Sequence, residues 1–135
     1  AETMYENGSK HGETKFYDDN GAYQMARNYN YGEIVGYSYL DPSGAKKEMK
    51  VENGSANVRA FFKNGKPSRQ FDLKNGYFDG PYKGYFENGQ IEVEYLLDKD
   101  EREGTYKMYF DNGKVRRELF YVHGLLNGLG KDYFR

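Results

Sequence analysis

The chain has 135 residues, with 20 Lys+Arg against 21 Asp+Glu and a formal net charge of −1, which sets an expectation of a single domain over residues 1–135. With 0 Cys there is no disulfide framework, Cys-ligated zinc, Fe–S cluster or thiol nucleophile, and the near-neutral balance argues against a generic nucleic-acid binder. Hydrophobic residues make up 37% but aromatics alone 18%, so Tyr and Phe rather than Leu, Ile and Val must supply the core; disorder needs a large net charge and few aromatics, and this chain has neither.

In chain order the residues fall into copies of one unit. Each has an apolar residue three places before a glycine, a second glycine four places after it, then an aromatic. The first copy reads Tyr5, Gly8, Gly12, Tyr17 and the second Tyr29, Gly32, Gly36, Tyr39. The third reads Val51, Gly54, Val58, Phe61, with valine in place of the second glycine. Leu73, Gly76, Gly80, Tyr85 follow; then Leu97, Asp100, Gly104, Tyr109, with aspartate at the first glycine; then Tyr121, Gly124, Gly128, Tyr133. The period is 22 to 24 residues.

Asn-Gly occurs at Asn7, Asn20, Asn53, Asn64, Asn75, Asn88, Asn112 and Asn127. Both residues tolerate the positive φ of a type I′ hairpin turn, so each step is expected to be such a turn. Between turns the pattern alternates with the strand period of two: Ile91, Val93, Tyr95 and Leu97 point one way, Glu92, Glu94 and Leu96 the other. No segment keeps a helical period. The expectation is an all-β repeat array of antiparallel β-hairpins, about eleven or twelve strands at roughly 4.8 Å each, in one elongated twisted sheet. Aromatics of the same column are expected to form a ladder along it, with the charged face solvated.

An aromatic, then Glu/Asp/Lys-Asn-Gly, an alternating strand and Asn-Gly-x-x-x-Gly resembles the MORN repeat, in the variant form of bacterial toxin–antitoxin and immunity components. The best copies are Tyr85 to Met108 and Tyr109 to Asp132. Gly8-Ser9-Lys10-His11-Gly12 resembles the family's Gly-x-x-His-Gly element. Departures are the absence of Trp, Asp100 at a turn glycine, the shortened copies around Gly32 and Gly54, and the turn containing Pro42. The resemblance implies β-hairpin repeats in an extended, twisted sheet and a role as an interaction module. In the bacterial variant it implies an antitoxin-like protein; eukaryotic relatives are linked to membranes and to organising partners.

No constellation for catalysis stands out. His11 and His123 sit in the first and last copies and cannot meet in a linear array, and Ser9, Ser38, Ser43, Ser55 and Ser68 lack a nucleophile signature. Asp98, Asp100, Glu101 and Glu103 crowd one turn, where a cation or basic surface competes with plain solvation, and the EF-hand spacing is missing. The glycine turns carry no Walker Lys-Ser/Thr and lead into no helix. Lys46-Lys47 and the group Lys114, Arg116, Arg117 have acidic neighbours in Glu48 and Glu118, against a phosphate-binding role. The Asn-Gly-Ser sequons at Asn7 and Asn53 follow from turn chemistry. No metal, cofactor or catalytic residue is expected.

What remains is surface. Tyrosine suits positions with one dry and one wet end and is a frequent interface hot spot. The expected function is a non-enzymatic protein-interaction module, antitoxin- or immunity-like, occluding a cognate toxin or effector. The candidate residues are Tyr85, Tyr109 and Tyr133, with Tyr82 and Tyr106 on the opposite face; the opposing view makes every column aromatic core. The alternative function is a membrane- or envelope-associated scaffold, which the lack of a polybasic cluster disfavours. The expected partner is a protein, not nucleic acid, and an unpaired terminal edge offers dimerisation. The expected compartment is the cytoplasm, or the periplasm or exterior if a signal peptide was removed before Ala1.

Overall fold

The chain's two kinds of hairpin turn decide where strands begin and end. The computed structural model describes residues 5–6, 9–10, 12–17 and 21–134; His11, Asn7, Gly8 and Asn20 lie outside them. The described residues form no helix. The strands are β1 (Tyr5–Glu6), β2 (Ser9–Lys10), β3 (Gly12–Tyr17), β4 (Tyr23–Asn30), β5 (Glu33–Leu40), β6 (Lys46–Lys50), β7 (Ala56–Phe61) and β8 (Pro67–Lys74). They continue with β9 (Tyr77–Phe78), β10 (Gly80–Tyr85), β11 (Ile91–Asp98), β12 (Glu101–Tyr109), β13 (Val115–Val122), β14 (Leu125–Leu126) and β15 (Lys131–Asp132). All pairings are antiparallel, so the fold is the all-β hairpin array that the repeat implies.

Among the described residues five turns have positive φ at both central residues and are type I′: Tyr31-Gly32, Asn53-Gly54, Asn75-Gly76, Lys99-Asp100 and His123-Gly124. Only two of these are Asn-Gly. At Asn64-Gly65, Asn88-Gly89 and Asn112-Gly113 glycine alone has positive φ, which corrects the expectation that every Asn-Gly step is type I′. There the asparagine caps the turn: Asn88 Oδ1 accepts the Gln90 N–H at 2.9 Å while Gly89 N–H donates to the Phe86 carbonyl at 3.0 Å. A register shift follows in each strand pair, at Ala60/Phe61, Gly84/Tyr85 and Met108/Tyr109, as expected of a type I turn closed by a glycine bulge.

Successive turns are bonded to one another, which explains the repeat period. On one edge Gly76 N–H reaches the Gly54 carbonyl at 2.8 Å and Gly124 N–H the Arg102 carbonyl at 3.0 Å. On the other, Asn64 Nδ2 donates to the Glu87 carbonyl at 2.9 Å and Asn88 Nδ2 to the Asp111 carbonyl at 2.7 Å. An insertion of one residue between turns would break these bonds and flip the following side chains to the other face.

The hairpins are distributed over more than one sheet. β3-β4-β5-β6 form a four-stranded sheet, β1 pairs β2, and a longer sheet runs β14-β13-β12-β11-β10-β8-β7, with β9 on β8 and β15 on β13. The division falls between β6 and β7, where the Asn53-Gly54 turn is closed by the single Glu52↔Ser55 bridge. The copies flanking it are those without a left-handed residue at the second glycine position: Gly12, Gly80, Gly104 and Gly128 have positive φ, whereas Gly36 does not and the third copy has Val58 there. Val58 is fully buried instead. The two sheets meet through Met25, Tyr37 and Tyr39 on one side and Val58, Ala60 and Phe71 on the other. Each such large side chain contributes on the order of 1.5–3 kcal/mol on burial.

Candidate functional site

From the buried Phe71 outward, one face of the longer sheet carries a continuous row of stacked rings. Phe71 and Tyr82 stack with centroids 5.5 Å apart, Tyr82 and Tyr95 at 4.8 Å, Tyr95 and Tyr106 at 4.6 Å, and Tyr106 meets Tyr121 at 6.0 Å. The first three contacts are near-parallel, at 14°, 13° and 18°, and the last is tilted at 60°. At its inner end Tyr37 of the four-stranded sheet meets Phe71 edge-on. The first sheet thus covers the start of the row and leaves Tyr82, Tyr95, Tyr106 and Tyr121 half-buried.

This is not the expected ladder of same-column aromatics. Identical positions in successive copies lie two strands, roughly 10 Å, apart, beyond ring contact, whereas residues on neighbouring strands are about 4.8 Å apart. The row therefore alternates Tyr82 and Tyr106 with Tyr95 and Tyr121, from the intervening strands.

Arginines lie across these rings. Arg102 is 5.9, 5.2 and 5.4 Å from the ring centres of Tyr95, Tyr106 and Tyr121, and its Nη1 donates to the Tyr121 hydroxyl at 3.3 Å. Arg69 is 5.9 Å from Tyr82. Arg27, on β4, spans the junction: it lies 5.4 Å from Phe16, 5.4 Å from Tyr37 and 5.1 Å from Phe78, and donates through Nε to the Tyr37 hydroxyl at 3.1 Å. Such contacts contribute about 0.5–2 kcal/mol each, more as they are desolvated.

Burial raises the pKa of the Tyr82, Tyr95 and Tyr106 hydroxyls above the ordinary tyrosine value, opposed by Arg69 for Tyr82 and Arg102 for Tyr106. At neutral pH they are hydrogen-bond donors. Together with the guanidiniums they make this face a surface of donors on an aromatic floor.

The sequence candidates divide between locations. Tyr82 and Tyr106 belong to the ring row. Tyr109 and Tyr133 are tied to carboxylates instead: the Tyr109 hydroxyl donates to Glu94 and the Tyr133 hydroxyl to Glu118 at 3.4 Å. Glu94 and Glu118 are both cross-strand partners of Lys107, the neighbour of Tyr106 in the strand, which puts them on the reverse face. Burial first, and then Glu94, pushes the Tyr109 hydroxyl up to about 12. Tyr85 lines a separate cleft of 390 Å³ with Tyr17, Gln24, Phe62, Arg69 and Phe86.

Sequence reasoning missed Tyr95, Tyr121 and the three arginines. The signal for Tyr95 was present, since reflection about the Asn88-Gly89 turn sets Tyr82 opposite Tyr95, as observed. Arg27 carries no such signal, because Phe16 and Tyr37 lie in its own sheet while Phe78, the ring it reaches across the junction, belongs to the other.

The acidic crowd is dispersed into turn bonds. Asp100, at φ 71, accepts the Phe78 N–H on its Oδ1 at 2.6 Å. Glu103 accepts the His123 N–H at 2.8 Å, with His123 Nδ1 3.7 Å away. Among the described residues no group of three His, Cys, Asp or Glu gathers as a metal site.

Residues 10–31, 78–98 and 102–123 match the family model of the MORN repeat variant. The last two segments span β9–β11 and β12–β13, and the first includes β3–β4. The unmatched stretch between them contains the division of the sheets. No curated protein and no solved structure matches the chain. MORN repeats are generally protein- or membrane-interaction modules.

Proposed function

We propose that this chain, carrying MORN-type repeats at three places, is a non-enzymatic protein-interaction module that docks a cognate toxin or effector on its ring row and inactivates it by occlusion, as an antitoxin or immunity protein does. The observation that carries this reading is the half-buried row Tyr82, Tyr95, Tyr106 and Tyr121 with arginines across it. Tyr and Arg are the side chains that anchor protein interfaces. Rings already stacked on one another lose little freedom when a partner arrives, so less of the contact energy is spent on ordering them.

The test is affinity isolation of partners with the full chain from its source cells, followed by reconstitution of the recovered protein. The reading expects a stoichiometric protein that is toxic when expressed alone, is silenced by this chain, and is released by Tyr106→Ala together with Tyr121→Ala at a temperature where the double variant remains folded. Recovery of no stoichiometric protein, or binding indifferent to both substitutions, counts against it.

A second reading, a membrane- or envelope-associated scaffold, has one observation in its favour. Leu125, Leu126, Leu129 and Phe134 are 74%, 54%, 99% and 98% exposed, an apolar group suited to insertion. Co-sedimentation with anionic and neutral vesicles discriminates, since this reading requires binding that Leu129→Asp abolishes.

A further inference from the structure

Arg27 and Arg102 come from different sheets, yet both line one cavity of 260 Å³ with Phe78, Tyr82, Tyr95 and Leu97. Arg27 is held by Tyr37 and Tyr29 through Nε and Nη1, and Arg102 by Tyr121 through Nη1. These partners are hydroxyls rather than carboxylates. Among the described residues neither guanidinium forms an ion pair with a carboxylate. Arg27 is half-buried and Arg102 exposed, and with two guanidiniums against the single Asp100 carboxylate the lining keeps a net positive charge that favours an anion between them.

The one acidic side chain in the wall among the described residues, Asp100, is bonded by its carboxylate to the Phe78 N–H at 2.6 Å and anchored by its own N–H on the Phe78 carbonyl at 2.8 Å. It adds negative charge to the wall, which penalises a dianionic phosphate more than a singly charged carboxylate. Phe78 and Leu97 offer apolar contact for the methylenes of a glutamate stem, and the Tyr82 and Tyr95 hydroxyls are further donors.

We propose that this cavity is a carboxylate-binding site, and that its occupant is an acidic side chain of the protein that docks on the ring row. The site rests on the docking reading above and gives it a register: the partner presents Glu or Asp at the junction of the two sheets. Arg27 enters from the four-stranded sheet and Arg102 from the longer one, so the bound carboxylate joins them.

The experiment follows the arginine Nε–Hε resonances of the full chain by NMR during titration with a capped hexaglutamate peptide, a capped hexaglutamine peptide and inorganic phosphate. Arg102→Lys and Arg102→Gln variants supply the assignments and the affinity series. Hexaglutamate is expected to move both Arg27 and Arg102, with hexaglutamine inert and phosphate weaker. Arg102→Gln is expected to weaken hexaglutamate binding by about tenfold or more, since a charged hydrogen bond is worth about 1.5–3 kcal/mol, with partial recovery in Arg102→Lys. Shifts spread over the other arginines, phosphate binding as tight as the peptide, or an unchanged affinity in Arg102→Gln would each overturn the site. If the isolated partner binds Arg102→Gln as tightly as the parent chain but is lost from the Tyr106→Ala and Tyr121→Ala double variant, the carboxylate site is wrong and the docking face stands. If hexaglutamate binds as expected and no partner protein is recovered, the site stands and the docking reading fails.

Discussion

The Tyr37 ring meets the Phe71 ring edge-on, with centroids 5.4 Å apart and planes at 69°, and this contact joins the four-stranded sheet to the ring row of the longer one. Tyr37 is 0% and Phe71 1% exposed. One row of rings is therefore buried at its inner end and half-exposed at its outer end.

Stability should grade along that row. Phe71→Ala is expected to cost about 3–5 kcal/mol, the range for a buried ring that leaves a cavity. Tyr121→Ala, half-buried and tilted from its neighbour, is expected to cost less than about 1.5 kcal/mol. Urea unfolding midpoints check this; equal losses at the two positions would contradict a graded row.

Asp100 occupies a turn position where the other type I′ turns have glycine, and its carboxylate binds the Phe78 N–H. Asp100→Ala loses that acceptor and keeps a side chain at left-handed φ, for an expected cost of about 1–3 kcal/mol. Asp100→Gly loses the same bond but relaxes the backbone, so its thermal midpoint should lie between those of Asp100→Ala and the parent chain.

Asn88 both caps its own turn and reaches the next, accepting from Gln90 N–H and donating to the Asp111 carbonyl. Asn88→Ala removes both bonds at an expected cost of about 1–2 kcal/mol. Asn88→Asp keeps the cap but turns a carboxylate oxygen toward the Asp111 carbonyl. Amide exchange should accelerate at the Phe110–Lys114 turn in Asn88→Asp and at both turns in Asn88→Ala.

Alkaline pH should loosen the fold in a defined window. The Tyr23 and Tyr109 hydroxyls are each pushed from 10.0 up to about 12, by burial first and then by carboxylates, Glu13 and Glu48 for Tyr23 and Glu94 for Tyr109. A pKa raised in the folded state means the unfolded chain ionises first, so these groups favour folding fully below pH about 10 and lose that contribution as pH rises toward 12. Urea midpoints against pH should fall across that interval, and less steeply in Tyr109→Phe. A flat profile would contradict the assignment.

How much of this was legible beforehand differs from residue to residue. Tyr82 and Tyr106 were identifiable as surface candidates from the repeat. Their stacking partner Tyr95 required pairing across the Asn88-Gly89 turn, whereas Tyr121 lies opposite Gly104 and meets Tyr106 on the diagonal, so no direct pairing points to it. The acidic cluster from Asp98 to Glu103 reads in the sequence as one crowded turn, cation-binding or simply solvated, and turn geometry sends Asp100 to Phe78 and Glu103 to His123.

The sequence by itself determined the hairpins, because turn residues and two-residue alternation act within a few positions of each other. Asn53-Gly54 and Asn75-Gly76 adopt the type I′ geometry that their small, left-handed-tolerant residues allow. Only the tertiary structure decided that the array divides after β6 and that β4 and β5 lie over β7 and β8, since that outcome is fixed by packing among Met25, Tyr37, Val58 and Phe71, residues up to 46 positions apart. Arg27 reaches the cavity it shares with Arg102 for the same reason: contacts between sheets depend on the sum of many side-chain shapes, and no local pattern encodes them.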